Sequence, residues 1–424
     1  MLRHESYKPT KIEWASEIPV DWDLQPIRAL FNERKERNDG PKTNFILSVM
    51  KDVGVIPYDE KGNVGNKKSE NIENYKVVYP GDLVVNKMNA IIGSLGISRY
   101  HGALSQVYFV LYPKDHARNN HKYLGYLFKV KPFQKSLIKI AKGMMELRES
   151  IEFDEFKKIV LPVPPREEQD RIVALLEQKI SEVDSAIAKK EKFIALLQEQ
   201  KAIMTSAMVF GLTSSSCGPC MAIPWVEQLP THWKVKRAKY LFRQSRLAVK
   251  PSYEVVTAYR DGEVTLRSNR RIDGYTFAIL EQGYQGVLPG QLVINSMDAF
   301  AGAIGVSDSE GKCSPEYVVC DAINCDEISP GFAALVLRQM ALSGYIEVIC
   351  SAVRQRALRI RYNDLAPLLL PVPPINEQLA IEKSVSEMHK HHNKLILNLR
   401  REISELKELS SILISNVTTG QIKV

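Results

Sequence analysis

Two long stretches of the chain repeat apolar residues at the seven-residue spacing of a helix that buries one stripe. In the first, Val173, Ile180, Ile187, Ile194 and Met208 form one seam, and Leu176, Val183, Leu197 and Met204 the other. In the second, Val385, Ile396, Leu399, Ile403, Leu406, Leu413 and Val417 carry the pattern. Charged residues such as Lys189, Glu191, Arg400 and Glu402 fill the remaining positions. The spacing predicts two amphipathic helices of about 40 residues, each ~60 Å long. Neither adjoining globular segment has the size to cover so long a stripe, so the helices are expected to pair as a coiled coil. Antiparallel pairing is expected, because a whole globular segment must fold between the end of the first helix and the start of the second. Lys190, Lys201, His389 and His392 interrupt the seam.

Each helix follows the string LPVPP, whose prolines lack a donor and restrict their predecessors. The helices then open with REEQ and INEQ, placing acids in a first turn where the helix dipole favours them. Glu168 and Glu377 read as caps of this kind. Upstream of the prolines, β-rich runs at 75–85, 102–112, 255–266 and 291–294 alternate with turn residues and with a helical pattern at 121–142.

The chain is an internal duplication. LPVPPREEQDRI begins at Leu161 and LPVPPINEQLAI at Leu370, 209 residues later, and the offset holds without a gap to Gly211 and Gly420. PGDLVVNKMNAIIGSLGIS (80–98) matches PGQLVINSMDAFAGAIGVS (289–307) at the same offset. Near each start, IPVDWDLQPIRALF (18–31) matches LPTHWKVKRAKYLF (229–242) two residues further out of step. Unit one is about 1–211 and unit two about 218–424. The expected fold is α+β: two similar mixed α/β domains joined by two long helices in an antiparallel coiled coil, with pseudo-two-fold symmetry. The domain limits read as 1–160, 161–211 (first helix), 212–228 (linker), 229–369 and 370–424 (second helix).

Composition narrows the class. Of 424 residues, 45 % are hydrophobic and 25 % charged, which excludes wholesale disorder. No run approaches the length of a membrane span, and the first residues lack the apolar core of a signal peptide, so a cytoplasmic protein is expected. The net charge of +8 favours a polyanionic partner. Basic residues cluster at 234–250, which includes Arg243 and Arg246 and no acid, and again at Arg354, Arg356, Arg359 and Arg361. Comparable positions in unit one are Lys139, Lys142 and Arg148. Two similar basic domains in a covalent pseudo-dimer suit duplex DNA, where Lys and Arg neutralise phosphates.

The repeat sharpens this. Residues common to both copies, such as Gly81/Gly290, Asn86/Asn295 and Gly93/Gly302, belong to the shared fold, whereas residues that differ at matched positions are free to read different bases. In the 80–98 block these are Lys87 against Ser296, Asn89 against Asp298, and Ser94 against Ala303. Lysine suits guanine acceptors, asparagine suits adenine, and aspartate accepts from cytosine. The candidate DNA contacts are therefore Lys87, Asn89, Ser94, Lys142, Arg148, Arg243, Arg246, Ser296, Asp298, Arg354, Arg356 and Arg359.

The order of variable domain, LPVPPxxEQ and long helix, given twice, resembles the specificity subunit (HsdS) of type I restriction–modification systems. The PGDLVVNKMNAIIGSLGIS and PGQLVINSMDAFAGAIGVS blocks, and the tryptophans of IPVDW and LPTHW, look like that family's target-recognition domains. The resemblance implies that each domain binds one half of a split site in double-stranded DNA. It also implies that the helices set the spacer and dock two methyltransferase subunits, with restriction/translocase subunits joining for cleavage. It implies no catalytic residue and no cofactor or metal in this chain: S-adenosylmethionine, ATP and Mg would belong to the partners. The sequence contains no [DNS]-P-P-[YFW] tetrad and no GxxxxGK[ST] loop. A rival class is a scaffold whose paired domains bind proteins. Cys217-Gly-Pro-Cys220 copies a redox tetrapeptide but lacks the strand-before, helix-after setting that activates the thiol, and reads as linker.

Overall fold

The computed structural model describes residues 3–40, 42–62, 69, 71–142, 150–212, 216–270, 283–350 and 359–424, apart from the side chain of Lys142. Arg148, Arg354 and Arg356 lie outside the described residues, as does that lysine side chain. Contacts divide the chain into two units: Met1–Glu191 with Leu399–Val424, and Lys192–Asn398.

In the first unit a four-stranded antiparallel sheet runs in the order Phe31–Glu33, Tyr108–Pro113, Leu83–Asn86, Leu95–Ile97. Its apolar runs are nearly continuous because both faces are covered. Leu83, Val85, Phe109 and Leu111 point to one core, together with Trp22, Tyr123 and Phe156. The alternating residues Val84 and Val110 point to a second, smaller core with Leu47, Val49, Val55, Val78 and Leu104. The second core is closed by the hairpin Leu47–Met50/Gly54–Pro57 and the pair Lys76–Val78/Gly102–Leu104. The 121–142 pattern resolves into two short helices, His121–Leu127 and Lys131–Ser136, with Pro132 starting the second.

The second unit repeats the plan. Its sheet is Phe242–Gln244, Tyr317–Ala322, Leu292–Asn295, Ile304–Val306. Leu292, Ile294 and Val318 face one core, and Val293 and Val319 the other. A single helix, Pro330–Leu342, stands where the first unit has two. Cys217–Pro219 is a strand, hydrogen-bonded to Gln228–Pro230 as Tyr7–Pro9 is to Glu17–Pro19. The tetrapeptide thus opens a hairpin, without the following helix that redox chemistry at these thiols requires.

The long helices are Arg166–Val209 and Ile375–Thr418. Within the first unit, Ile172, Val173 and Leu176 of one share a core with Ile414 and Val417 of the other, and Lys190 bonds to Glu402. Within the second, Lys201 Nζ donates to Asn393 Oδ1 at 3.0 Å, and Thr205 Oγ1 lies 2.8 Å from His389 Nε2. Four residues forward on one helix correspond to four back on the other, so the strands of this pair are antiparallel. The polar residues that break the seam meet each other across it.

LPVPP does more than stop a helix. Val160–Val163 and Leu369–Val372 are strands paired with Asp23–Pro26 and Lys234–Arg237. Glu168 and Glu377 are also more than caps. The indole Nε1 of Trp22 donates to Glu168 Oε2 at 3.1 Å, and that of Trp233 to Glu377 Oε2 at 3.0 Å. An imidazole faces each carboxylate: His4 Nε2 is 3.5 Å from Glu168, and His232 Nε2 is 3.0 Å from Glu377. The neighbouring glutamines tie the helix to backbone. Gln169 Oε1 accepts from Asn120 N and its amide donates to Pro164 O, while Gln378 treats Ser329 N and Pro373 O alike. Gly211 and Gly420 close the helices at φ +63° and +75°, and a Cβ on either would run into the ring of Pro230 or Pro19.

These bonds carry a prediction. Glu168 is buried against a buried indole, whereas the side chain of Glu377 is 44 % exposed. Glu168→Ala should lower the stability of the full chain by about 2–3 kcal/mol, and Glu377→Ala by about 1 kcal/mol. Urea unfolding checks this. Equal losses of about 0.5 kcal/mol would mark both as dipole caps only.

Candidate nucleic-acid interface

The segment after the third strand of each copy is built the same way. Asn86 Oδ1 accepts from Met88 N, and Asn295 Oδ1 from Met297 N, turning the chain out of the strand. A single 3-10 turn follows, Ala90–Ile92 or Ala299–Ala301. Gly93 and Gly302, at φ +96° and +87°, then return it to the sheet. Asn89, Met88, Ile92 and Met297 are exposed on this loop. Ser94 and Ser296 are not: at 4 % and 7 % exposure they present little surface to a partner.

The backbone of residue 87 or 296 anchors the segment before the proline string. Ile151 N donates to Lys87 O at 2.9 Å and Ile360 N to Ser296 O at 3.4 Å. This places Arg359 beside the loop, where its Nε bonds Glu316 Oε2 at 3.0 Å while Glu316 O accepts from Ser296 N. Lys142 begins the matching stretch in the first unit through its strand with Ser150–Ile151.

Further basic residues gather at the same end of the sheet. Lys76 Nζ donates to Tyr108 O at 2.9 Å, and Glu33 lies 3.9 Å from it. Burial depresses the Lys76 amine, Glu33 opposes this, and the charges of Lys87 and Lys35 add to the depression. The first unit therefore collects Lys35 and Lys76 around the Glu33 carboxylate, with the charge of Lys87 felt at Lys76. In the second unit Gln285 replaces Lys76 and makes the same bond, to Tyr317 O at 2.7 Å. Arg246, exposed, stands at the position of Lys35. Arg243 lies further along its strand, 3.8 Å from Asp321 and 74 % exposed, away from this end.

A second loop abuts the first. In the hairpin turn of the first unit, Asp52 N donates to Gly93 O at 3.2 Å, and Asp52 pairs with Lys131. In the second unit, Arg260 of the matching turn donates from Nη2 to Asp298 Oδ1 at 2.9 Å, both partly exposed. Arg338 Nη1 donates to Gly302 O and, at 3.2 Å, to Arg260 O, fastening the two loops together. So Lys87 and Asn89 converge in one unit, and Arg246, Asp298 and Arg359 in the other. Sequence reading missed Lys35, Lys76 and Arg260. Extending the comparison of matched positions four residues upstream of Pro80 would have exposed Lys76 against Gln285.

Residues 19–192 match the family model described as "Type I restriction modification DNA specificity domain". The MjaX specificity subunit assigned to a type I restriction enzyme of Methanocaldococcus jannaschii is 22 % identical over all of this chain and 98 % of its own. The fold is that of solved specificity subunits. The HsdS subunit of Thermoanaerobacter tengcongensis superposes with a TM-score of 0.52 at 15 % identity, covering 96 % of this chain and 98 % of that one. A chain from a study of complex assembly and conformational transition in the type I R-M system reaches 0.63 at 14 % identity, covering 96 % and 99 %. The chain is thus similar over its whole length to type I specificity subunits, and residues 19–192 carry the match to the specificity-domain model. The expected resemblance and fold class hold. Among the described residues no helix is long and apolar enough to cross a membrane.

Proposed function

We propose that each globular domain of this specificity subunit reads one half of a bipartite duplex site through the loop end of its four-stranded sheet. The observation that carries the reading is one loop geometry built twice with different exposed side chains. Lys35, Lys76 and Lys87 supply phosphate contacts in the first unit, and Arg246 and Arg359 in the second. Asn89 offers the donor and acceptor that suit adenine. Arg260 and Asp298, already paired, offer the donor and acceptor that complement the guanine acceptors and the cytosine amino donor of a G·C pair in the major groove. Lys142, Arg148, Arg354 and Arg356 remain candidate phosphate contacts by residue type alone. The long helices set the spacer and dock two methyltransferase subunits. Those partners bring S-adenosylmethionine chemistry, and restriction/translocase subunits bring ATP, Mg and cleavage.

The test is footprinting of the subunit assembled with its methyltransferase. Two protected segments are expected, with log affinity falling linearly in log salt. Lys87→Ala should weaken binding on all sequences and reduce that salt slope by about one. Asp298→Asn should cost about 1–3 kcal/mol at one base pair only. Protection indistinguishable from that of random duplex would sink the proposal.

A further inference from the structure

Within the unit Lys192–Asn398, the two long-helix segments and the helix Pro330–Leu342 border a cleft of about 670 Å³. In the other unit the matched positions are apolar. There Tyr126, Val130, Phe133, Ile180 and Ile414 all lie in or against the main core. The residues at the matched positions in the cleft are Leu335, Gln339, Leu342, His389 and Thr205. Phe133 is fully buried, and Leu342 is 60 % exposed. One copy of the module is therefore packed where the other is open and partly polar.

The open copy carries two cations, Lys201 and Arg338, and two carboxylates, Asp261 and Glu227, in its wall. Lys201 Nζ is held by a neutral acceptor, Asn393 Oδ1, and Arg338 by the carbonyls of Gly302 and Arg260. Asp261 is already paired with Arg270, and Glu227 is exposed. Burial depresses both Lys201 and Arg338, and the charge of Asp261 opposes this in each. Burial and these two cations, with His392, push His389 down to about 4, so its ring is neutral at pH 7 and hydrogen-bonded to Thr205. Two partly desolvated cations thus face a cavity whose remaining wall includes the apolar Phe210, Trp225 and Leu342.

We infer that this cleft binds a small organic anion, with a phosphate or carboxylate head against Lys201 and Arg338 and an aromatic or apolar body against Trp225, Phe210 and Leu342. The volume falls in the range of small-molecule sites, and a few convergent polar groups in an apolar wall are their usual construction. The assignment stands apart from sequence reading by the loops, since the other copy, with Lys129 at the position of Arg338 but Ser410 at that of Lys201, fills the matched space with apolar side chains.

Calorimetric titration of the full chain tests it, with phenyl phosphate and inorganic phosphate as probes at matched ionic strength. Phenyl phosphate should bind saturably and about tenfold more tightly than inorganic phosphate, a difference of about 1.4 kcal/mol. Lys201→Gln should weaken it about tenfold. Refilling the cleft with the other unit's residues, Thr205→Ile, His389→Ile and Leu342→Phe together, should abolish binding while raising the melting temperature. Three results would overturn the inference: no saturable binding of phenyl phosphate, equal affinity for the two phosphates, or undiminished binding in the refilled variant. Displacement of phenyl phosphate by random duplex would assign the cations to DNA phosphate and also overturn it.

Discussion

Replacing residues 1–155 with those of another specificity subunit is expected to change one half of the methylated sequence and leave the other half intact. The exchange is physically feasible because many of the bonds between the domain and the helices involve backbone atoms, beside exposed side-chain pairs such as Asn120–Asp170 and Lys122–Glu177. Tyr123 Oη donates to Pro162 O and Thr418 O at 3.0 and 3.1 Å, and Tyr7 Oη to Gly420 O at 2.9 Å. Gln169 reaches the domain at Asn120 N and Arg118 O, groups that any sequence supplies. The buried side-chain bond that must be retained is Trp22 to Glu168. Loss of the fully buried Trp22 would cost about 3–5 kcal/mol, so a donor domain lacking the tryptophan should fail to fold rather than change specificity. Sequencing of methylated adenines in cells carrying the hybrid reads the outcome. An unaltered site would remove base reading from the 1–155 domain.

Lengthening both helices by seven residues, one insertion after Lys190 and one after Arg401, is expected to widen the unspecified spacer by about three base pairs. Seven residues add ~10.5 Å of helix, and each base pair occupies ~3.4 Å. Seven also turns the apolar stripe by only about 20°, so the seam is kept. The positions suit an insertion because Lys190 and Glu402 already pair across the helices there. Five residues would rotate the stripe by about 140° and are expected to abolish methylation. The same methylation sequencing distinguishes the cases, and an unchanged spacer after the seven-residue insertion would defeat the ruler.

Much of this was legible in one dimension because it is periodic or repeated. A heptad stripe identifies a long paired helix without reference to any partner, and Val173, Leu176, Leu197, Val385, Ile403 and Val417 of the expected seam are all buried. An unbroken 209-residue offset identifies a duplicated fold. Apolar runs such as LVV in 83–85 mark strands covered on both faces, as the two cores on either side of each sheet show.

What the tertiary structure decided lies in contacts with no period. Glu168 looks like a dipole cap from its position in the helix, yet its partner is Trp22, 146 residues away. Ser94 and Ser296 look like loop residues free to vary, yet folding buries both. Lys35, Lys76 and Lys87 are scattered along the chain and meet only because antiparallel pairing brings Glu33, Tyr108 and Asn86 to one end of a sheet. Repetition and stripe are properties of local spacing and survive in a linear string. Burial and charge clustering depend on which distant segments pack together, and that is settled only when the whole core closes.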